Sequence, residues 1–255
     1  MAKGKGRKRE TQEERDRRRA QEQRLQRLTT YTGIGVLAVV VLLVGLYVVQ
    51  SRTGGGLGAG SSGPASFSLE DEPRLGEPDA PVTVVEFIDF KCPACKQFHD
   101  LVFDRFKEDF IDTGKVKLYV MHFPIPLGPD SYTAAVAGEC LYRQRPAAFW
   151  PYYDAMFRYQ GDERERWVTL ERLRQVVRDY VKPLVDVDEE AFLQCVREDR
   201  YRREVDQDKR EALAAGVRGT PTLFVDGQMV RRWYPYSSFK AALERALQEA
   251  ESASR

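Results

Sequence analysis

Cys92-Pro93-Ala94-Cys95 lies directly between an apolar run and a segment with helical spacing. That placement has chemical content. At a helix N-terminus the unpaired backbone N–H groups and the helix dipole favour a thiolate at Cys92. Pro93 suits the first helical position, because it has no N–H to lose. A lowered thiol pKa makes Cys92 both a better-populated nucleophile and a better leaving group. Cys95, one turn further in, is placed to resolve a mixed disulfide. Two other readings fit a close cysteine pair: a zinc site and an inert disulfide. Zinc needs two further close ligands, and His99, His122, Cys140 and Cys195 include no second close-spaced pair. The spacing therefore favours redox chemistry carried by the cysteines alone, with no metal and no cofactor.

Two more positions join this pair. Thr220-Pro221 precedes a short apolar run, and a proline at a strand entrance has no ladder donor and suits a cis bond in a tight turn. In the cis form Pro221 would lie beside Cys92, and the Thr220 backbone could pair with an extended substrate. An ordinary trans loop proline is the alternative. Glu86 stands six positions before Cys92 in an otherwise apolar run. A desolvated carboxyl there would have a raised pKa and could exchange protons with Cys95. A glutamate on a locally exposed edge is the competing reading. His99, one turn beyond Cys95, could tune the site, although a histidine there more often reads as a partly exposed helix residue.

The elements that must hold these residues are legible in outline. Residues 82–90 (VTVVEFIDF) are apolar on both alternating faces, as in a central strand buried on both sides. Residues 93–107 have helical spacing through Phe98, Leu101, Val102, Phe103 and Phe106, and residues 115–121 read as another strand. Strand, helix and strand in this order make a right-handed crossover in an α/β fold. Residues 131–215 are mainly helical, with breaks near Pro146, Gly161 and Pro183. The aromatics Phe149, Trp150, Tyr152, Tyr153 and Phe157 in that stretch read as core of the helical cap, with the alternative that some of them line an apolar groove for unfolded substrates. Residues 222–225 and 228–232 are the arms of a hairpin turning at Asp226-Gly227. Residues 237–249 form a closing helix, with Ser237 or Ser238 as its N-cap.

The chain has 255 residues and nearly balanced charge, with 40 Lys or Arg against 39 Asp or Glu. The balance hides a basic arm, since residues 1–30 carry eleven Lys or Arg and five Asp or Glu. Residues 33–49 carry no charge, and residues 31–50 are just long enough to cross a bilayer as one helix. The segment has no polar stripe, which argues against a core helix, and its basic lead is too long for an ordinary cleaved signal. The positive-inside rule puts residues 1–30 in the cytoplasm and the C-terminal bulk outside, in a single-pass membrane protein. Topology thus accounts for the basic arm without nucleic acid. Residues 51–66 are a flexible Gly/Ser linker, leaving residues 67–255 as the folded domain. No dimerisation segment is evident, so a monomer is expected.

Residues 75–99 (LGEPDAPVTVVEFIDFKCPACKQFH), Phe149-Trp150 and residues 216–227 (GVRGTPTLFVDG) resemble the DsbA-like thiol-disulfide oxidoreductases. The similarity spans roughly residues 67–250. It implies a thioredoxin fold with a helical insertion at about 130–215. It also implies Cys92 as the attacking or attacked sulfur, Cys95 as the resolving one, Pro221 as cis, and Glu86 as the buried acid. Cys140 and Cys195 resemble the structural disulfide of some members. The implied activity is donation of disulfides to reduced or unfolded exported proteins, with reoxidation by an integral-membrane quinone-linked partner. A reductase or isomerase would use the same pair in reverse, and a non-catalytic tethered chaperone would use neither sulfur. One departure bears on direction: Ala94 stands where the best-studied oxidases of this family carry a histidine.

Overall fold

The computed structural model describes residues 64–128 and 130–253. The basic arm, the apolar span at 31–50 and residues 51–63 of the linker lie outside the described residues. Among the described residues no helix is long and apolar enough to cross a membrane.

Five strands form one mixed sheet: β1 (Arg74–Leu75), β2 (Val82–Ile88), β3 (Val116–His122), β4 (Thr222–Val225) and β5 (Gln228–Met229), in the order β1-β3-β2-β4-β5. β2 is central, parallel to β3 and antiparallel to β4. Its burial on both faces explains its apolar run, because successive residues feed two cores. Val82, Val84 and Ile88 belong to the larger core, on the face shared with the helices after β2. Val85 and Phe87 point the other way, onto Met121, Phe224, Ala212 and Val217. This alternation sends Glu86 to the helix side.

After β2 the chain enters α1 (Pro93–Phe98), which continues through two π-helical turns (His99–Phe103 and Lys107–Ile111). The helical path thus runs four residues past the predicted end at Lys107. The insertion holds α2 (Asp130–Gln144), α3 (Phe149–Arg158), α4 (Leu170–Val176), α5 (Glu189–Arg197) and α6 (Arg202–Ala214). Its breaks fall where the sequence put them: a 3-10 turn starts at Pro146, and α3 ends before Gly161. Thr169 and Asp188 cap α4 and α5 by accepting from the backbone N–H three residues on, at 3.2 and 2.9 Å. This is the thioredoxin arrangement with a helical insertion that the resemblance implied.

Three local readings need correction. β5 is two residues long, against the five predicted, because the chain leaves the sheet after Met229 for a loop with a cis Tyr234–Pro235 bond. The last helix, α7 (Tyr236–Ala253), starts one residue early, so Ser237 and Ser238 lie in its first turn rather than before it. β1 was not foreseen, since two residues carry no periodicity. The Asp226-Gly227 turn is as expected, with φ of 45° and 76°, and a Cβ at Gly227 would run into the Ala65 carbonyl.

Cys140 in α2 and Cys195 in α5 are bonded (S–S 2.02 Å), linking two insertion helices across 55 residues of sequence. Replacing both with Ala should lower the unfolding free energy by about 4 kcal/mol, from the loss of loop closure in the unfolded chain. Urea unfolding of the double variant checks this.

Away from the cysteines, three buried titratable side chains gather with the half-buried Glu72. Glu72 lies just before β1, His122 ends β3, Glu139 is in α2 and Asp208 is in α6. Asp208 Oδ2 accepts the His122 backbone N–H at 2.8 Å, and His122 Nε2 lies 3.4 Å from Glu139 Oε1. Burial first, then the Asp208 and Glu139 charges, pushes Glu72 far up, and burial pushes Asp208 up as well. An unfolded Glu72 would release its proton near 4.5, whereas the folded chain keeps it to much higher pH. The folded state therefore binds more protons, and stability falls as pH rises above the unfolded value. Urea midpoints measured from pH 5 to 8 should fall, and Glu72→Gln should flatten that slope.

Candidate active site

Cys92 is the N-cap of α1 (φ −75°, ψ 120°) and Pro93 its first helical residue. The Cys92 carbonyl already accepts the Lys96 N–H at 3.2 Å, so the helix begins at the cysteine. Cys92 is 5% exposed as a residue and Cys95 0%; both thiols are free. The two sulfurs have opposite acidities. The Cys95 thiol donates to Cys92, and the Thr220 side chain and the backbone N–H groups of Cys95 and Ala94 add to that. Against burial, these lower Cys92 from 9.0 to about 6. Burial, followed by the Cys92 sulfur itself, pushes Cys95 well above its ordinary value. At neutral pH one sulfur is a thiolate and its neighbour keeps its proton.

Thr220 and Pro221 stand opposite Cys92. Their peptide bond is cis, and the Thr220 carbonyl accepts from Cys92 Sγ at 3.2 Å when the sulfur is protonated. β4 starts at the next residue and pairs Thr222 with Phe87, so the sheet register holds this turn beside the end of β2. The Thr220 hydroxyl is buried with no other partner among the described residues, leaving its O–H available to the thiolate.

Glu86 is 0% exposed, at the middle of β2 between Val120 and Leu223. Burial raises its pKa from 4.5 to about 8, while the Tyr153 hydroxyl and the His99 charge pull it partly back. Tyr153 donates to Glu86 Oε2 at 3.1 Å, and Oε1 has no partner among the described residues. Glu86 also acts on Cys95, raising its pKa further. The carboxyl is thus an acid buried beside the resolving cysteine, not an edge residue.

Several residues that hold the pair in place escaped the sequence reading. Lys91, 1% exposed, spends its three donors on Asp130 Oδ1 (2.7 Å), the Glu165 carbonyl (2.8 Å) and the Leu127 carbonyl (3.0 Å). Asp130 Oδ2 in turn accepts the Trp167 and Val168 N–H groups. Gln160 Nε2 donates to the Phe90 carbonyl at 2.8 Å and the Cys92 carbonyl at 3.0 Å. Lys96 Nζ donates to the Phe157 carbonyl at 2.8 Å. Asp89 stops β2 by accepting the Lys91 and Ile125 N–H groups, both at 2.8 Å. A charged residue in an apolar run was the available signal for Lys91 and Asp89; Gln160 carried none. His99 also departs from expectation. It is 8% exposed and lies between Asp100 and Asp154. Cys95 and His99 are four apart, so the helix turns both inward. Phe149, Tyr152, Tyr153 and Phe157 are all fully buried, so these aromatics are core rather than groove.

A model of the thioredoxin family matches residues 68–245. A probable disulfide bond formation protein D of Bacillus anthracis is 37% identical over 183 residues, covering 72% of this chain and 82% of that protein. Disulfide bond formation protein D of Bacillus subtilis is 31% identical over 180 residues, covering 71% and 79%. The crystal structure of oxidised BdbD from Bacillus subtilis superposes with a TM-score of 0.68 at 30% identity, covering 72% of this chain and 97% of that one. The thiolate at Cys92, the buried thiol at Cys95 and the cis bond beside them sit in a chain matched to this family over most of its length. The chain belongs to the thioredoxin superfamily as a DsbA-like protein thiol-disulfide oxidoreductase.

Proposed function

We propose that the chain donates disulfides to reduced, exported proteins outside the cytoplasm, tethered by residues 31–50 with residues 1–30 on the cytoplasmic side. The observation that carries the direction is the split between Cys92, lowered to about 6, and Cys95, raised well above its ordinary value. A stable Cys92 thiolate is a good leaving group and favours the reduced product. The compartment is supported by the bonded Cys140–Cys195 pair, since disulfides persist in oxidising surroundings. The relatives' name, disulfide bond formation protein, points the same way.

A client thiolate attacks Cys92 in the oxidised pair, a mixed disulfide forms and Cys95 leaves, taking a proton. A second client thiolate then attacks the client sulfur of that bond and expels Cys92 as thiolate. Two electrons pass to the pair, and the client gains one disulfide. Reoxidation runs through a mixed disulfide that Cys95 resolves, with Glu86 accepting its proton. A membrane-embedded, quinone-linked oxidant is the partner of the expected class, and the working unit is a monomer. A reductase or isomerase is the second reading, favoured by Ala94, which brings no histidine to the thiolate.

Replacing Cys95 with Ala in the full chain should accumulate Cys92-linked client adducts, read by mass spectrometry. No adducts would remove the catalytic assignment of the pair. Equilibration with glutathione decides direction. A potential near that of strong oxidants, about −120 mV, supports donation, and one near thioredoxin, about −270 mV, supports reduction.

A further inference from the structure

The ring of His99 is nearly buried, and both of its nitrogens face carboxylates. Nδ1 is 3.0 Å from Asp100 Oδ1 and Nε2 is 3.0 Å from Asp154 Oδ1. A neutral imidazole has one N–H and one lone pair, so it can satisfy only one of them. The imidazolium satisfies both. Burial opposes that charge, and the bonds to Asp154 and Asp100 outweigh it, leaving the ring's pKa raised. Asp100 also pairs with Lys96 and Asp154 with Arg158, at 3.0 Å each, so both carboxylates are held in place.

One residue, Tyr153, touches both the ring and the acid. The ring packs against Tyr153, Phe157 and Phe103, with centroids 5.9, 5.7 and 6.0 Å away. The same Tyr153 donates to Glu86. The groups acting on Glu86 are Tyr153 from α3, and Cys95 and His99 from the α1 path. Of these, His99 is the cation. Lys91 and Lys96 spend their charge elsewhere, on Asp130 and Asp100.

We propose that His99 is a positioning residue for the resolving step: a fixed imidazolium that keeps the buried Glu86 carboxyl able to ionise, so that it can take the proton of Cys95. This rests on the role given above to Glu86. In that step Cys95 attacks Cys92 Sγ of a mixed disulfide. The Cys92–Cys95 bond forms, the bond to the partner sulfur breaks, the partner leaves as thiolate, and the Cys95 proton passes to Glu86. A carboxyl locked in its protonated form could not accept it.

The test follows the decay of the Cys92–glutathione adduct, formed from the reduced protein and glutathione disulfide, by acid quench and mass spectrometry across pH. The wild-type rate should rise with pH around a midpoint near 8, the Glu86 value. His99→Gln should move that midpoint up by about one unit, which is roughly tenfold slower at pH 7. In a Glu86→Gln background the limb should vanish, and His99→Gln should then change nothing. An unmoved midpoint in His99→Gln, with Glu86→Gln still removing the limb, overturns the proposal and leaves the Glu86 role standing. A limb that survives Glu86→Gln overturns that role, and the proposal with it. Direct NMR titration of His99 in the unaltered protein avoids any folding defect: a ring already neutral at pH 7 overturns the proposal.

Discussion

The unequal burial of two sulfurs three residues apart governs this molecule. Cys92 meets the N–H groups at a helix start and stays within reach of a partner, while Cys95 is sealed beneath it. Ionising one is favoured and ionising the other is penalised, so the charge has one place to go. The central strand, the helix start and the cis turn can all be derived from that requirement. β2 must end where the helix begins, the helix must begin at the cysteine, and β4 must bring Thr220 across the sheet to meet it.

Holding a helix start so tightly requires support from outside the thioredoxin core, and the insertion supplies it. Lys91 and Lys96 run from beside the cysteine motif to backbone carbonyls of the insertion, and Gln160 in the loop after α3 donates back to the Phe90 and Cys92 carbonyls. The Lys91–Asp130 pair is 1% exposed on each side, so neither charge has water to fall back on. Breaking such a pair from one side is strongly destabilising, about 3–5 kcal/mol, because it strands a buried charge. The lysine's three filled donors join the residue before the cysteine motif to the loop before α2, the first residue of α2 and the loop before α4 at one atom.

What was legible in the sequence was what periodicity and spacing encode. The apolar run of β2, the cysteine pair at a helix start and the helical stretch between Ser131 and Ala215 all follow from local pattern. Glu86 could be singled out because a lone carboxyl interrupts an apolar strand. What stayed hidden depends on distant pairing. Gln160 looks like any loop amide until the fold brings it onto its Cys92 acceptor, 68 positions away in sequence. His99 read as a partly exposed helix residue because nothing local marks both of its partners. Its second carboxylate comes from α3, 55 positions later. The two-residue strands β1 and β5 exist only because a longer strand is there to receive them.

The size of the Cys92 effect limits what it can explain. At pH 7 a thiol lowered from 9.0 to about 6 stabilises the reduced form only by the span between its folded value and the ambient pH. That is about 1.4 kcal/mol, or roughly 30 mV for a two-electron couple. The interval between thioredoxin and the strongest oxidants of this superfamily is about 150 mV. Cys92 ionisation alone therefore cannot carry the chain from one end of the range to the other. The remainder has to reside in groups whose state changes with the pair, and Cys95 and Glu86 are the two buried beside it. A sealed thiol and a sealed carboxyl cost little while each keeps its own proton. Closing the disulfide releases the Cys95 proton, which then needs an ionised Glu86 or a path to solvent. The redox behaviour of this site is thus governed as much by where the proton of Cys95 can go as by the Cys92 thiolate.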